Sequence, residues 1–166
     1  LFRSAAGAMV LLIRRAQALM EAAGDDGDFD ALCQQLHRYQ ATLRTCFTLE
    51  NFDNLIKNGR MRPIVGTLLR SLGIHIIADA TAEGTIHVAD KARGVGKTYR
   101  AITALMKASK DCTDAEVVIS HCENLEGAMA LKRQILADLP VKQVDLLSCR
   151  GLTSFYAMEK GLIVGY

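Results

Sequence analysis

The sequence predicts an α/β protein of the α+β type, with a mixed β-sheet of about six strands, helices packed on it, and two helices in front. Three observations point there. The first quarter of the chain carries helical periodicity twice over. Two β-rich runs around Thr81 to Gly84 read as a hairpin, which forces an antiparallel pair. Farther on, a strand–helix–strand unit from Ala115 to Cys149 favours a parallel pair with a right-handed crossover. A mixed sheet with helices over one face is the economical result.

Composition sets the frame. The chain has 166 residues, enough for one full domain or one plus part of another. Half of it is apolar and Trp is absent, so the core is built from Leu, Ile, Val, Ala and Met. A net charge of +2 does not select an anionic partner. The five cysteines (Cys33, Cys46, Cys112, Cys122, Cys149) form no CxxC pair. That scatter is unlike a disulfide framework or a zinc site and suits a reducing cytosol, with the thiols as small buried hydrophobes. The first residue is Leu, and the chain reads as a fragment. The apolar run Ala5 to Ile13 is far shorter than the roughly 20 residues of a membrane span. It continues helically through Ala16, Leu19 and Met20 with Arg14 and Arg15 on the other side, so it reads as a packed amphipathic helix.

The elements follow in order. A helix over 4–23 stops at Gly24, and Asp28 is a candidate N-cap for a second helix from Phe29 to Arg44, with Leu32, Leu36, Tyr39 and Leu43 at helical spacing. Thr45 to Leu49 reads as a strand and Glu50 to Lys57 as a short helix punctuated by Asn58-Gly59. Met61 to Leu72 has helical spacing, with Pro63 near its start where Pro is tolerated. Ile74 to Ala80 and Thr85 to Ala92 are the hairpin strands, followed by a helix over Val95 to Ser109. Ala115 to His121 is a strand, Asn124 to Leu139 a helix stopped by Pro140, and Val141 to Cys149 a strand. Gly151 to Lys160 is left open, and Gly161 to Tyr166 is a last strand.

Few residues suggest chemistry. Lys91 to Ala101 ends in Gly96-Lys97-Thr98 like a phosphate loop, but Lys91 stands where that loop needs Gly. The segment reads instead as the end of one element and the start of a helix. His121 beside Cys122 invites a Cys–His nucleophile, although neighbours on a strand point to opposite faces. A turn histidine closing a strand–helix loop is the plainer reading. His75 and His87 lie on facing hairpin strands without a third metal ligand. Lys57, Arg60, Arg62, Lys91, Arg93, Lys97 and Arg100 lack the interleaved aromatics of a nucleic-acid surface, so no nucleic-acid partner is expected. Thr153, Ser154, Phe155 and Tyr156 place hydroxyls beside aromatics, which suits an apolar ligand with a polar head; a helix packing Phe155 into the core accounts for them equally well.

Taken in order, several segments resemble the DegV family. They are Asn54 to Arg60, the hairpin, Lys91-Ala92-Arg93-Gly94, Val117-Val118-Ile119-Ser120-His121, Asn124-Leu125-Glu126-Gly127-Ala128 and Gly161 to Tyr166. The match runs over Leu43 to Tyr166, and the leading helices resemble the family's helical region ahead of it. The resemblance implies a division into residues 1–43, a helical remnant of the N-terminal α/β domain, and 44–166, the C-terminal α/β domain. It implies a bacterial, cytoplasmic, non-enzymatic protein that binds a long-chain fatty acid in an apolar cleft between domains. Such a protein needs no cofactor and can present the carboxylate to a separate fatty acid kinase subunit. The residues assigned to the lipid are Ile64, Leu68, Leu72 and Phe155 for the tail and Thr153, Ser154 or Tyr156 for the head. Arg60 and Arg93 are expected near the domain junction or a partner surface.

Two departures stand out. The family's "TDSTADL" strand and "SSLSGTY" segment are absent here, and its C-terminal "GTHTGPGALG" is replaced by Leu152 to Gly161, with Phe155 in the place of the family's His when the ends are aligned. The alternatives are a small α/β enzyme using His121 and Cys122, or a non-catalytic partner-binding domain.

Overall fold

Six strands pair into one sheet in the order β3-β2-β1-β6-β4-β5. The computed structural model describes residues 6–24, 27–61, 73–81 and 85–166. In chain order these are α1 (Gly7–Ala23), α2 (Phe29–Thr42), β1 (Thr45–Leu49), α3 (Asp53–Lys57), β2 (Ile74–Ala80), β3 (Ile86–Arg93) and α4 (Val95–Ser109). Then come β4 (Glu116–His121), α5 (Leu125–Asp138), β5 (Gln143–Ser148), α6 (Gly151–Ala157) and β6 (Leu162–Gly165). The pair β4–β5 is parallel, as the strand–helix–strand unit requires, and the other four pairings are antiparallel. The expected mixed sheet of six strands behind two helices is therefore the observed one. The helix expected over 61–72 and the hairpin turn lie largely outside the described residues.

Local chemistry sets the element ends. The Asp28 carboxylate accepts the N–H groups of Asp30 and Ala31 at 2.9 and 3.3 Å, the cap expected for α2. α3 starts later than the periodicity suggests because the Asn51 side chain accepts the Asp53 N–H at 2.8 Å and turns the chain first. The open segment resolves into α6, closed by Met158 and Lys160 at φ of 53° and 63°.

Helices cover both faces of the sheet, which corrects the one-face expectation. Along β4, Val117 and Ile119 join the core under α4 and α5, whereas Val118 joins Leu11 and Leu43 under α1. A strand apolar on both sides needs cover on both sides. The second face is shared by α1 over β4 and β6 and by a separate cluster beside β1 and β2, where Leu49, Phe52, Leu55, Ile76 and Ala78 meet Ala157 of α6.

Contact between α1 and the sheet is backbone on backbone. A side chain at Gly7 would strike the Val118 carbonyl oxygen, and one at Gly165 would strike the backbone of Gly7 and Ala8. The chain end is pinned from two sides. The Tyr166 N–H donates to the Arg44 carbonyl and its carbonyl accepts from the Arg44 N–H, at 3.1 and 2.8 Å. The Tyr166 hydroxyl meets the Ser109 hydroxyl of α4 at 2.7 Å.

Two predictions follow from this packing. Gly165→Ala should lower unfolding free energy by about 1–3 kcal/mol, because helix backbone cannot move aside as a side chain can; urea denaturation measures it. A second concerns alkaline pH. Burial pushes the Tyr166, Tyr99 and Tyr39 hydroxyls above their ordinary value of 10.0, and pushes the Cys149 thiol from 9.0 up to about 11. These groups ionise more readily in the unfolded chain, so their contribution to stability is complete below about pH 9 and falls as pH rises toward their folded values. Melting temperature should be level through neutral pH and decline above pH 9, less steeply in Tyr166→Phe.

Candidate functional site

The strand registers bring the candidate segments to one end of the sheet. Leu49 pairs with Ile76, Ile74 with Arg93, Thr48 and His121 with Leu162, and His121 with Ser148. The carboxyl ends of β1, β3, β4 and β5 therefore share an edge with the amino ends of β2 and β6. This is the edge where open α/β sheets take ligands. The first turns of α4 and α5, the Lys160 turn and all of α6 start from it.

On the α4/α5 face this edge opens into a cleft of about 270 Å³. Thr48, His75, Tyr99, Asn124 and Lys160 are among its walls. The Thr48 hydroxyl is buried there without a hydrogen-bond partner among the described residues. The Asn124 side chain is engaged at both ends: its oxygen accepts the Gly127 N–H at 3.1 Å and its nitrogen donates to the Lys160 carbonyl at 2.9 Å. One residue thus caps α5 and ties it to the turn before β6. Sequence spacing does not assemble these residues, because they come from five separate elements and turns whose neighbourhood is set by strand register.

On the opposite face α6 lies against α3. The Asn54 side chain donates to the Phe155 carbonyl at 2.6 Å. The Arg60 guanidinium sits 5.1 Å from the centre of the Tyr156 ring, and the Phe155 ring meets Tyr156 edge-on at 5.1 Å. Ala157 is buried and Tyr156 packs against the apolar cluster under it, while Phe155 and Leu152 are 47% and 71% exposed. The segment does form a helix, but the expectation that it packs Phe155 into the core is corrected: Ala157 and Tyr156 face inward, and Phe155 stands in an outward rim with Leu152.

The sequence-predicted residues divide accordingly. Arg60, Thr153, Ser154, Phe155 and Tyr156 come together at α3 and α6. Arg93 ends the edge strand β3 at the same end of the sheet and is exposed. Ile64, Leu68 and Leu72 lie outside the described residues. Thr98, the would-be metal ligand of a phosphate loop, is 1% exposed and donates its hydroxyl to the Gly94 carbonyl at 3.0 Å, so it belongs to the helix start.

The histidine candidates separate. His121 is buried and its Nδ1 accepts the Asn124 N–H at 3.4 Å, closing the strand–helix turn; Cys122 packs on the other face of the sheet. His75 pairs with Ala92 and His87 with Asp79, four residues along β2 and about 13 Å apart. His87 instead holds Asp79 at 3.0 Å. No group of metal-binding side chains occurs among the described residues.

Fold and site together define a mixed α/β domain whose carboxyl edge carries a cleft of mixed polar and apolar lining on one face and an aromatic rim on the other. The chain belongs to the DegV family: the family model, described as an uncharacterised protein, matches residues 3–162. A DegV domain-containing protein of Streptococcus gordonii is 31% identical over 98% of this chain and 57% of its own length. The chain thus spans little more than half the length of the curated relatives it matches. Among solved structures, the Streptococcus pneumoniae fatty acid kinase (Fak) B3 protein loaded with linoleic acid superposes with a TM-score of 0.88 at 31% identity, over 99% of this chain and 57% of the other. A Eubacterium eligens DegV family protein loaded with heptadecanoic acid gives 0.90 at 25% identity, over 98% and 58%. No helix among the described residues is long and apolar enough to cross a membrane.

Asn124→Ala removes both the α5 cap and the tether to Lys160. It should cost about 1–2 kcal/mol in chemical denaturation, with amide exchange rising first at the starts of α5 and β6.

Proposed function

We propose that this chain forms part of a fatty-acid-binding DegV protein, in which a long acyl chain lies in an apolar cleft between two domains. The observation that carries the reading is the rim on α6: Leu152 and Phe155 exposed beside an apolar cluster, at the end of the sheet where ligands enter. Relatives described as loaded with linoleic and heptadecanoic acids support it. In this reading residues 1–43 close the amino-terminal domain and 44–166 form the carboxyl-terminal one. The tail packs on Phe155 and on Ile64, Leu68 and Leu72. Thr153, Ser154 or Tyr156 meets the carboxylate, and Arg60 and Arg93 face the junction or a partner. The chain contributes no catalytic group; it works in the cytoplasm and presents the carboxylate to a separate kinase subunit that performs phosphoryl transfer.

Burial of a methylene contributes about 0.8 kcal/mol, so affinity should rise roughly fourfold per CH₂ from lauric to myristic to palmitic acid. Phe155→Ala should weaken palmitate binding by roughly 5- to 30-fold, as loss of about 1–2 kcal/mol of contact implies, with little change in melting temperature. Calorimetric titration of the full-length protein measures both, and mass spectrometry of its extracted lipid identifies the native ligand. The reading fails if no acyl species co-purifies and added oleate leaves the melting temperature unmoved.

A further inference from the structure

Two thiols that look unrelated in the sequence, Cys122 and Cys149, meet in the fold. The parallel ladder between β4 and β5 runs to His121 opposite Ser148, so the next pair in register is Cys122 and Cys149. The ladder reaches that position: the Cys149 N–H donates to the His121 carbonyl at 2.7 Å. Cys122 is fixed from its other side, its N–H donating to the Gly161 carbonyl at 3.0 Å and its carbonyl accepting the Lys160 N–H at 2.9 Å. Residues paired across neighbouring strands project to the same face, and both side chains pack against the same apolar cluster. Neighbouring strands run about 4.8 Å apart, and a disulfide spans Cα atoms about 4.4–6.8 Å apart.

The other cysteines are placed differently. Cys46 and Cys112 are buried, and Cys33 lies on α2, whereas Cys122 and Cys149 are both half-buried at the open end of the sheet. We propose that Cys122 and Cys149 are a peroxide-sensitive pair that closes to a reversible disulfide.

The step balances with hydrogen peroxide as oxidant. The Cys122 sulfur attacks the peroxide, breaking the O–O bond, giving a sulfenic acid and releasing water. The Cys149 sulfur then attacks the sulfenic sulfur, its proton leaving with the hydroxyl as a second water. Two thiols are oxidised by two electrons and one peroxide is reduced to two waters. Burial, and then the neighbouring Cys122, push the Cys149 thiol up to about 11, which disfavours its thiolate and leaves the first attack on peroxide to Cys122. Within a reducing compartment such a bond is transient and reversible. It would join the turn leading into α5 to the turn leading into α6, and it forms whether or not the chain takes an acyl ligand.

The test maps the bond on the unaltered full-length protein, so it does not depend on a variant folding. The protein is treated with a few equivalents of hydrogen peroxide, remaining thiols are blocked with N-ethylmaleimide, and the digest is read by mass spectrometry. The expected product is a Cys122–Cys149 peptide pair two hydrogens lighter than its parts, within one chain, returned to free peptides by dithiothreitol. In Cys149→Ser the same treatment should leave a Cys122 sulfenic acid that dimedone traps. Full maleimide labelling of both residues after peroxide overturns the proposal, as does a bridge to any other cysteine or between two chains.

Discussion

The fold depends on one placement: the last strand of the described chain, β6, lies between β1 and β4. On one side it closes the β1–β2–β3 meander, and on the other it closes the parallel β4–β5 unit. Among the described residues no other strand joins these halves. Val164 and Leu162 fill the core beneath α4 and α5, while Gly165 offers no side chain on the opposite face, so the backbone of α1 can lie on it. A strand that must be apolar below and bare at Gly165 above tolerates little variation there, because α1 approaches it as backbone.

The same placement builds the edge that carries the cleft and the aromatic rim. Because β6 runs antiparallel to both neighbours, the carboxyl ends of β1 and β4 fall at the same end of the sheet, and α3 and α5 leave from it on opposite faces. The turn before β6 is tied by backbone bonds to Cys122 and by the Asn124 side chain to Lys160. Five residues upstream of β6, α6 is therefore held at the edge rather than free to swing, and its aromatic rim has a fixed position. Charge contributes less. The ion pairs of Arg14 with Asp145 and of Lys142 with Glu116 join surface elements with solvent at hand, where such pairs are worth about 0–1 kcal/mol.

The thiols illustrate how spacing misleads. Read linearly, 122 and 149 are far apart and match no motif. The parallel crossover through α5 returns the chain to the neighbouring strand in register, so residues separated by a whole strand–helix–strand unit become neighbours.

Sequence alone determined the elements with strong local signals. The Asp28 cap, the hairpin strands, the bounds of α4 and the Pro140 stop each follow from backbone chemistry within a few residues, and the failure of the Lys91 to Ala101 loop as a phosphate site follows from one absent glycine. Ordered motifs also carried the family resemblance. Tertiary structure decided what depends on distant partners. It set the helices on both faces, because whether the second side of β4 needs cover is known only once its neighbours are placed. It assigned α6, whose seven residues are too few to show a period and are fixed by the Asn54–Phe155 and Arg60–Tyr156 contacts. It also grouped Thr48, His75, Tyr99, Asn124 and Lys160 around one cleft, since strand register is a property of the sheet and no single segment contains it.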